Sequence, residues 1–143
     1  MLGAAPELVQ TFGAVDVDAQ LGRQVSAAVD LLRARRDAGG LGDIVVVHVG
    51  NNGTFTAGQF DELTEVLSGV EQVVLVNVKV PRDWEHSNND VLAEGVRQCP
   101  NCALVDWYAA SAGRPDLFWD DRMHLRPAGA QLYASLIAAS MEG

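Results

Sequence analysis

Two runs, each apolar but for one residue, constrain this chain more than any other feature. Ile44-Val45-Val46-Val47-His48-Val49 and the stretch from Val73 to Val78 are dominated by β-branched residues. A strand with one wet face alternates apolar and polar side chains; these runs do not, so both of their faces must be covered. Around them lie segments with helical spacing. They are Ala4 to Phe12; Val25, Val29 and Leu32 within 23–37; Phe60, Leu63, Leu67 and Val70; Val91, Leu92 and Val96 within 88–98; and Leu132, Tyr133, Leu136 and Ile137 after Pro127. Ala103 to Asp106 predicts a third short buried strand, with a long loop from there to Pro127. Val15-Asp16-Val17-Asp18-Ala19 alternates apolar and acidic residues, which predicts an edge or half-exposed strand. Strands joined by helices in this order predict a three-layer α/β/α sandwich around a parallel, flavodoxin-like sheet.

Its 143 residues are one domain's worth of chain, and no linker or repeat divides them. Ten basic against nineteen acidic side chains give a net charge of −9, which excludes nucleic acid and anionic membrane surfaces as ready partners. No run of about 18 apolar residues is present to span a bilayer. Met1 to Glu7 lacks the basic start and apolar stretch of a signal peptide. Cys99-Pro100-Asn101-Cys102 holds the only two cysteines: a loop disulfide, two idle thiols, or redox or metal chemistry. It is half a zinc site without a second half, and no cofactor is expected.

In such a fold ligands bind beyond the C-terminal ends of the strands. Polar residues collect there: Gly22-Arg23-Gln24, Gly50-Asn51-Asn52-Gly53, Arg82 to Asn89 and Asp120 to His124. Asp121-x-x-His124 is short enough for one loop to set a carboxylate beside an imidazole, the carboxylate fixing the tautomer of a general base. The alternative is a helix cap ahead of Pro127 with His124 exposed. The amide of Asn52 and the backbone N–H of Gly22 could donate to an oxyanion, or both could be ordinary turn residues. His48, in a valine run, reads as a hydrogen-bonded core histidine.

Five segments in this order resemble the SGNH hydrolase family, in particular the SGNH domain that accompanies membrane acyltransferases acting on cell-wall glycans. They are Met1-Leu2-Gly3-Ala4, Val17 to Gln24, Val47-His48-Val49-Gly50-Asn51-Asn52-Gly53, Val78-Lys79-Val80-Pro81-Arg82-Asp83-Trp84-Glu85, and Asp121 to Ala130. The resemblance implies that His124 is the base, Asp121 its partner in preference to Asp120, and Gly22 with Asn52 the oxyanion hole. It places the nucleophilic serine two residues upstream of Met1, at the end of a strand also outside this sequence. The serines present (Ser26, Ser68, Ser87, Ser111, Ser135, Ser140) read as helical or remote. A parallel sheet lacking a central strand leaves buried N–H and C=O groups unpaired, at about 1–3 kcal/mol each. The expectation is therefore that residues 1–143 form one SGNH-like domain, the C-terminal part of a longer chain.

The implied activity is transfer or hydrolysis of acetyl esters on a glycan such as peptidoglycan, on the extracytoplasmic face of a bacterial membrane. A membrane acyltransferase domain in the same parent chain would be its partner. Trp84 and Trp119 are candidates to stack on sugar, or loop anchors; His86 is a candidate rim residue. Arg82 and Arg126 either bind a carboxylate, or are solvated or paired with the surplus acids. The alternative function is a glycan-binding module without a nucleophile. A phospho-receiver is a poor match: Lys79 with Pro81 does not reproduce its lysine–proline signature, and Asp121-x-x-His124 would be idle.

Overall fold

β2 (Gln72–Val76) is the middle of a three-stranded parallel sheet, with β1 (Ile44–Val47) on one side and β3 (Cys102–Val105) on the other. A computed structural model describes residues 1–141. Val46 pairs with Val74 and Leu75 with Leu104 in the two ladders. Successive β2 side chains serve opposite faces. Val74 and Val76 pack with Leu8 of α1 (Ala5–Phe12) and with Tyr133 and Ile137 of α6 (Pro127–Met141). Val73 and Leu75 pack with Val29 of α2 (Val25–Asp37), Leu63 of α3 (Ala57–Val66) and Leu92 of α4 (Glu85–Arg97). The two cores on one sheet are the expected three layers.

Local chemistry sets the helix starts. Thr56 and Gln59 form a reciprocal capping box on α3, and Pro127 opens α6 at the position where its missing N–H costs nothing. Asp106 caps the short α5 (Trp107–Ser111) by accepting from the Ala109 N–H at 3.0 Å. That helix, and the 3-10 turn Pro115–Leu117, lie in the stretch expected to be loop.

Three expectations about strands fail. Val15 to Ala19 forms no ladder; instead Asp16 and Asp18 reach the guanidiniums of Arg35 and Arg23 at 2.6 and 2.7 Å. β1 is also not covered on both faces: Ile44 is 43% exposed, and Val45 and Val46 are half-buried. Among the described residues, β1 pairs with β2 alone. Its other edge opens on a groove of about 610 Å³, walled across by Val15, Val17 and Ala19. The strands themselves end early, at Val47 and Val76 rather than at 49 and 78. Beyond β2, the Asn89 side chain takes over the ladder's role, accepting from the Val78 N–H (2.8 Å) and donating to its carbonyl (2.9 Å).

Where α6 crosses the 3-10 turn, Gly129 is buried and leaves no room for a side chain; an added Cβ would run into the Leu117 carbonyl oxygen. Gly129→Ala is expected to cost about 2 kcal/mol, a fall in Tm of about 6 °C by thermal melt. Gly69→Ala, facing open space, should change Tm by less than a third as much.

Candidate active site

Asp121 and His124 sit at the tip of a hairpin spanning 117–126, ahead of α6. Phe118 and Leu125 bridge antiparallel; the Trp119 N–H donates to the His124 carbonyl (2.9 Å) and the Arg126 N–H to that of Leu117 (2.8 Å). Arg122 closes the turn at φ 60°, donating its N–H to the Trp119 carbonyl at 2.9 Å. That left-handed conformation costs a side-chain-bearing residue about 1–2 kcal/mol. One Asp121 carboxylate oxygen accepts the N–H groups of Met123 and His124, both at 2.9 Å, and the other lies against His124 Nδ1. A carboxylate only accepts, so Nδ1 carries the proton, and in the neutral imidazole Nε2 keeps its lone pair. The His124 ring, and then the two backbone donors, hold the Asp121 carboxyl down at about 2. The capping half of the alternative fails, because the Asp121 oxygens are committed to 123 and 124; its other half holds, since His124 is exposed. Asp120 makes no such contact.

The Gly50–Gly53 loop follows β1. Gly50 has φ 106°, with an Asn88 side-chain atom 3.3 Å from where a Cβ would stand. Asn88, on α4 and 1% exposed, fixes the loop: its amide donates to the Gly50 and Gly53 carbonyls (2.9 and 2.8 Å), and its oxygen accepts from the Phe55 N–H at 2.7 Å. Sequence reasoning passes over Asn88. The available signal is a tandem Asn-Asn early in a helix, where asparagine is disfavoured unless its side chain is engaged. The neighbouring Asn52 amide has only a long contact, 3.4 Å, to the Arg23 carbonyl, and remains free to donate. Gly22 turns at φ 72° in the segment that faces it. Gly22, Asn52 and His124 all line the 610 Å³ groove beside β1.

Other expected residues fall outside that lining. Arg82 is exposed and donates to the adjacent Pro81 carbonyl at 2.9 Å. Trp84 is half-buried ahead of α4, with a buried and unpartnered Nε1. His86 lies in the first turn of α4, edge-on to Tyr108 with ring centres 5.8 Å apart. Trp119 is 50% exposed, with the Arg126 guanidinium 4.5 Å from its ring centre. Neither Arg82 nor Arg126 pairs with a carboxylate among the described residues; Arg82 is solvated, the other outcome expected for it.

His48 faces the groove with Tyr133, its Nδ1 2.8 Å from the phenol oxygen. Its Nε2 is buried without a partner, so it is only half of the satisfied histidine expected. Burial pushes its pKa well below the usual histidine range and that of Tyr133 up, so both stay neutral. None of the six serines lines the groove; Ser87, Ser111, Ser135 and Ser140 donate to carbonyls of their own helical segments. Cys99 and Cys102 form a disulfide.

No protein-family model matches the chain. It is 39% identical over 127 residues to the O-acetyltransferase OatA of Staphylococcus aureus, a match covering 88% of this chain and 21% of that protein. Among solved structures it resembles the C-terminal catalytic domain of the Streptococcus pneumoniae peptidoglycan O-acetyltransferase OatA: TM-score 0.85, 20% identity, 99% of this chain and 87% of that one. A protein of Slackia heliotrinireducens assigned to the SGNH hydrolases follows with TM-score 0.74 and 20% identity, over 96% of this chain and 90% of its own. The fold is thus that of an SGNH hydrolase domain. The chain has O-acetyltransferases of the OatA type among its sequence relatives. It spans about a fifth of the length of the OatA relative it matches.

The Asp121 carboxyl is expected to titrate near 2 by carbon NMR and to move back up towards 3.8, the ordinary value, in His124→Ala. A depressed folded-state pKa supports the fold above the unfolded value, so the pair's support is complete above about pH 4 and lost as pH falls towards 2.

Proposed function

We propose that the protein is a serine-dependent O-acetyltransferase or esterase acting on acetyl esters of a cell-wall glycan. Asp121 and His124 are two members of its Ser-His-Asp triad, and the Gly22 N–H and the Asn52 amide form its oxyanion hole. One observation carries this reading. The Asp121 carboxylate holds His124 Nδ1, which leaves Nε2 as the base, in a residue that shares the groove with Gly22 and Asn52. The serine oxygen attacks the ester carbon while His124 Nε2 takes the serine proton. The tetrahedral oxyanion is held by Gly22 and Asn52 until the carbon–oxygen bond to the leaving alcohol breaks. His124 then returns the proton to that alcohol. The acyl group passes to a glycan hydroxyl or to water by the same steps in reverse, and transfer wins only where water is kept out. Side chains and backbone alone supply this chemistry.

In this reading residues 1–143 are one domain at the C-terminal end of a longer chain, and the nucleophile stands just upstream of Met1. The strand that precedes it runs in the groove, along the open edge of β1. Support comes from that edge, from the apolar groove walls, and from the fifth of the OatA relative that this chain spans. The preceding part of the parent chain is taken to be a membrane acyltransferase domain that supplies the acyl group. The site then lies on the extracytoplasmic face, where the Cys99–Cys102 disulfide persists. Among the described residues no helix is long and apolar enough to cross a membrane. Peptidoglycan is the glycan favoured, as it is the one in the name of the streptococcal structure.

Fluorophosphonate treatment, read by intact mass and peptide mapping, is expected to give one adduct on a serine upstream of Met1, absent in His124→Ala. Asn52→Ala should lower kcat on an acetyl ester by about 10²–10³, and His124→Ala by about 10⁴ or more. An adduct on any of the six serines numbered here, or unchanged turnover in His124→Ala, overturns the assignment. A protein that binds glycan and takes no label is the binding module instead.

A further inference from the structure

Gln24 is the last residue before α2, extended at φ −83° and ψ 160°. A side chain at that position normally turns back to accept from the first free N–H groups of the helix, and Ser, Thr, Asp and Asn do this best. The Gln24 side chain makes no such bond. It reaches instead to the loop after β1, where its Nε2 donates to the Asn52 carbonyl at 2.6 Å. A carbonyl only accepts, so the amide nitrogen is the atom that faces it. The Gln24 amide oxygen lies 2.6 Å from where a Cβ on Gly53 would stand, so the glycine gives the amide room to lie against the loop. Gln24 is itself exposed and falls outside the groove lining.

Two ties therefore join the segment of Gly22 to the loop of Asn52. The Asn52 amide meets the Arg23 carbonyl only at 3.4 Å, and the Gln24 bond to the Asn52 backbone is the short one. That division suits a donor that must be placed and yet stay unspent. An amide drawn into a tight bond of its own has less to give an oxyanion, whereas one held through its backbone keeps its donors. The loop is gripped from two helices: Asn88 on α4 holds the Gly50 and Gly53 carbonyls, and Gln24 at α2 holds that of Asn52. The Gly22 segment is tied down in turn by the Arg23 guanidinium, which donates to the Asp18 carbonyl (3.1 Å), the Asp18 carboxylate (2.7 Å) and the Gln20 amide oxygen (3.2 Å).

We propose that Gln24 is a positioning residue that sets the Asn52 amide against the Gly22 N–H, so that the two donors converge on one oxyanion. It acts through the Asn52 backbone and does not touch the substrate. This role rests on the reading of Gly22 and Asn52 as the oxyanion hole, and supplies the link that keeps them in register.

The test follows hydrolysis of 4-nitrophenyl acetate by the full-length protein in the wild type, Gln24→Met, Asn52→Ala and the double variant. Methionine keeps the reach of glutamine and removes its donor. A donor lost from the hole costs about 10²–10³ in kcat, and one left present but loosened costs less. Gln24→Met should therefore lower kcat about tenfold, with KM within about twofold of wild type. In the Asn52→Ala background the same change should cost less than about twofold, because no amide is left to position. Gln98→Met, which removes another exposed glutamine amide at the end of α4, should match the wild type. Hydrogen exchange read by mass spectrometry should quicken over 50–53 in Gln24→Met and stay unchanged over α6. A wild-type rate in Gln24→Met while Asn52→Ala is slow overturns the proposal alone, as does a tenfold loss that persists in the Asn52→Ala background or a loss carried by KM only. An unchanged kcat in Asn52→Ala overturns the oxyanion-hole reading and the proposal with it. If the wild type hydrolyses no ester, the enzymatic reading fails; faster exchange over 50–53 then upholds the tie between the loops, and equal exchange overturns it.

Discussion

A parallel sheet buried between helices must pair the backbone groups of its strands, and the architecture of this protein follows from how far that demand is met. β2 meets it on both sides, and its alternating valines and leucine supply both cores. β3 is backed by α4 and α6. β1 meets the demand on one side only, and its other edge forms a wall of the groove that carries Gly22, Asn52 and His124. The least complete part of the sheet and the chemically most interesting part are therefore the same place. In the proposed mechanism that coincidence is functional: a strand laid along β1 would end where His124 Nε2 needs a nucleophile.

The loops beyond the strands owe their order to three asparagines, of which Asn77 and Asn88 are buried and Asn89 half-buried. Asn88 holds the Gly50–Gly53 turn and Phe55; Asn89 clamps Val78; and Asn77 donates to Asp106 (2.8 Å) while accepting from the Tyr108 N–H (2.8 Å). Each replaces ladder bonds that end with the strands, and each would leave buried donors and acceptors stranded if removed, at about 1–3 kcal/mol apiece. Side chains that serve as backbone substitutes let the loops bend away from the sheet without losing precision. A candidate oxyanion donor such as Asn52 needs that precision.

β2 was legible because burial on both faces explains a run without alternation; β1 carries the same kind of run with Ile44 exposed and its outer edge open. Asp121 and His124 were legible because three residues of spacing suffice for one turn to join them. Val15 to Ala19 misled because alternation is also what a coil produces when two aspartates reach for arginines of the next segments, Arg23 and Arg35. The ends of β1 and β2 were overestimated because valine goes on being buried after the ladder stops, as at Val78. Asn88 left only a faint trace, because its partners are backbone groups more than thirty positions away. The unpaired state of Arg126 left none, since it depends on which acids the fold brings near.

The account turns on the atom next to His124 Nε2. A crystal structure of the full-length protein measures that directly. The account predicts a parallel strand in the groove along β1 and a serine oxygen within about 2.6–3.2 Å of Nε2. A structure with no serine in reach of Nε2, or with the edge of β1 paired to an unrelated segment, would contradict it.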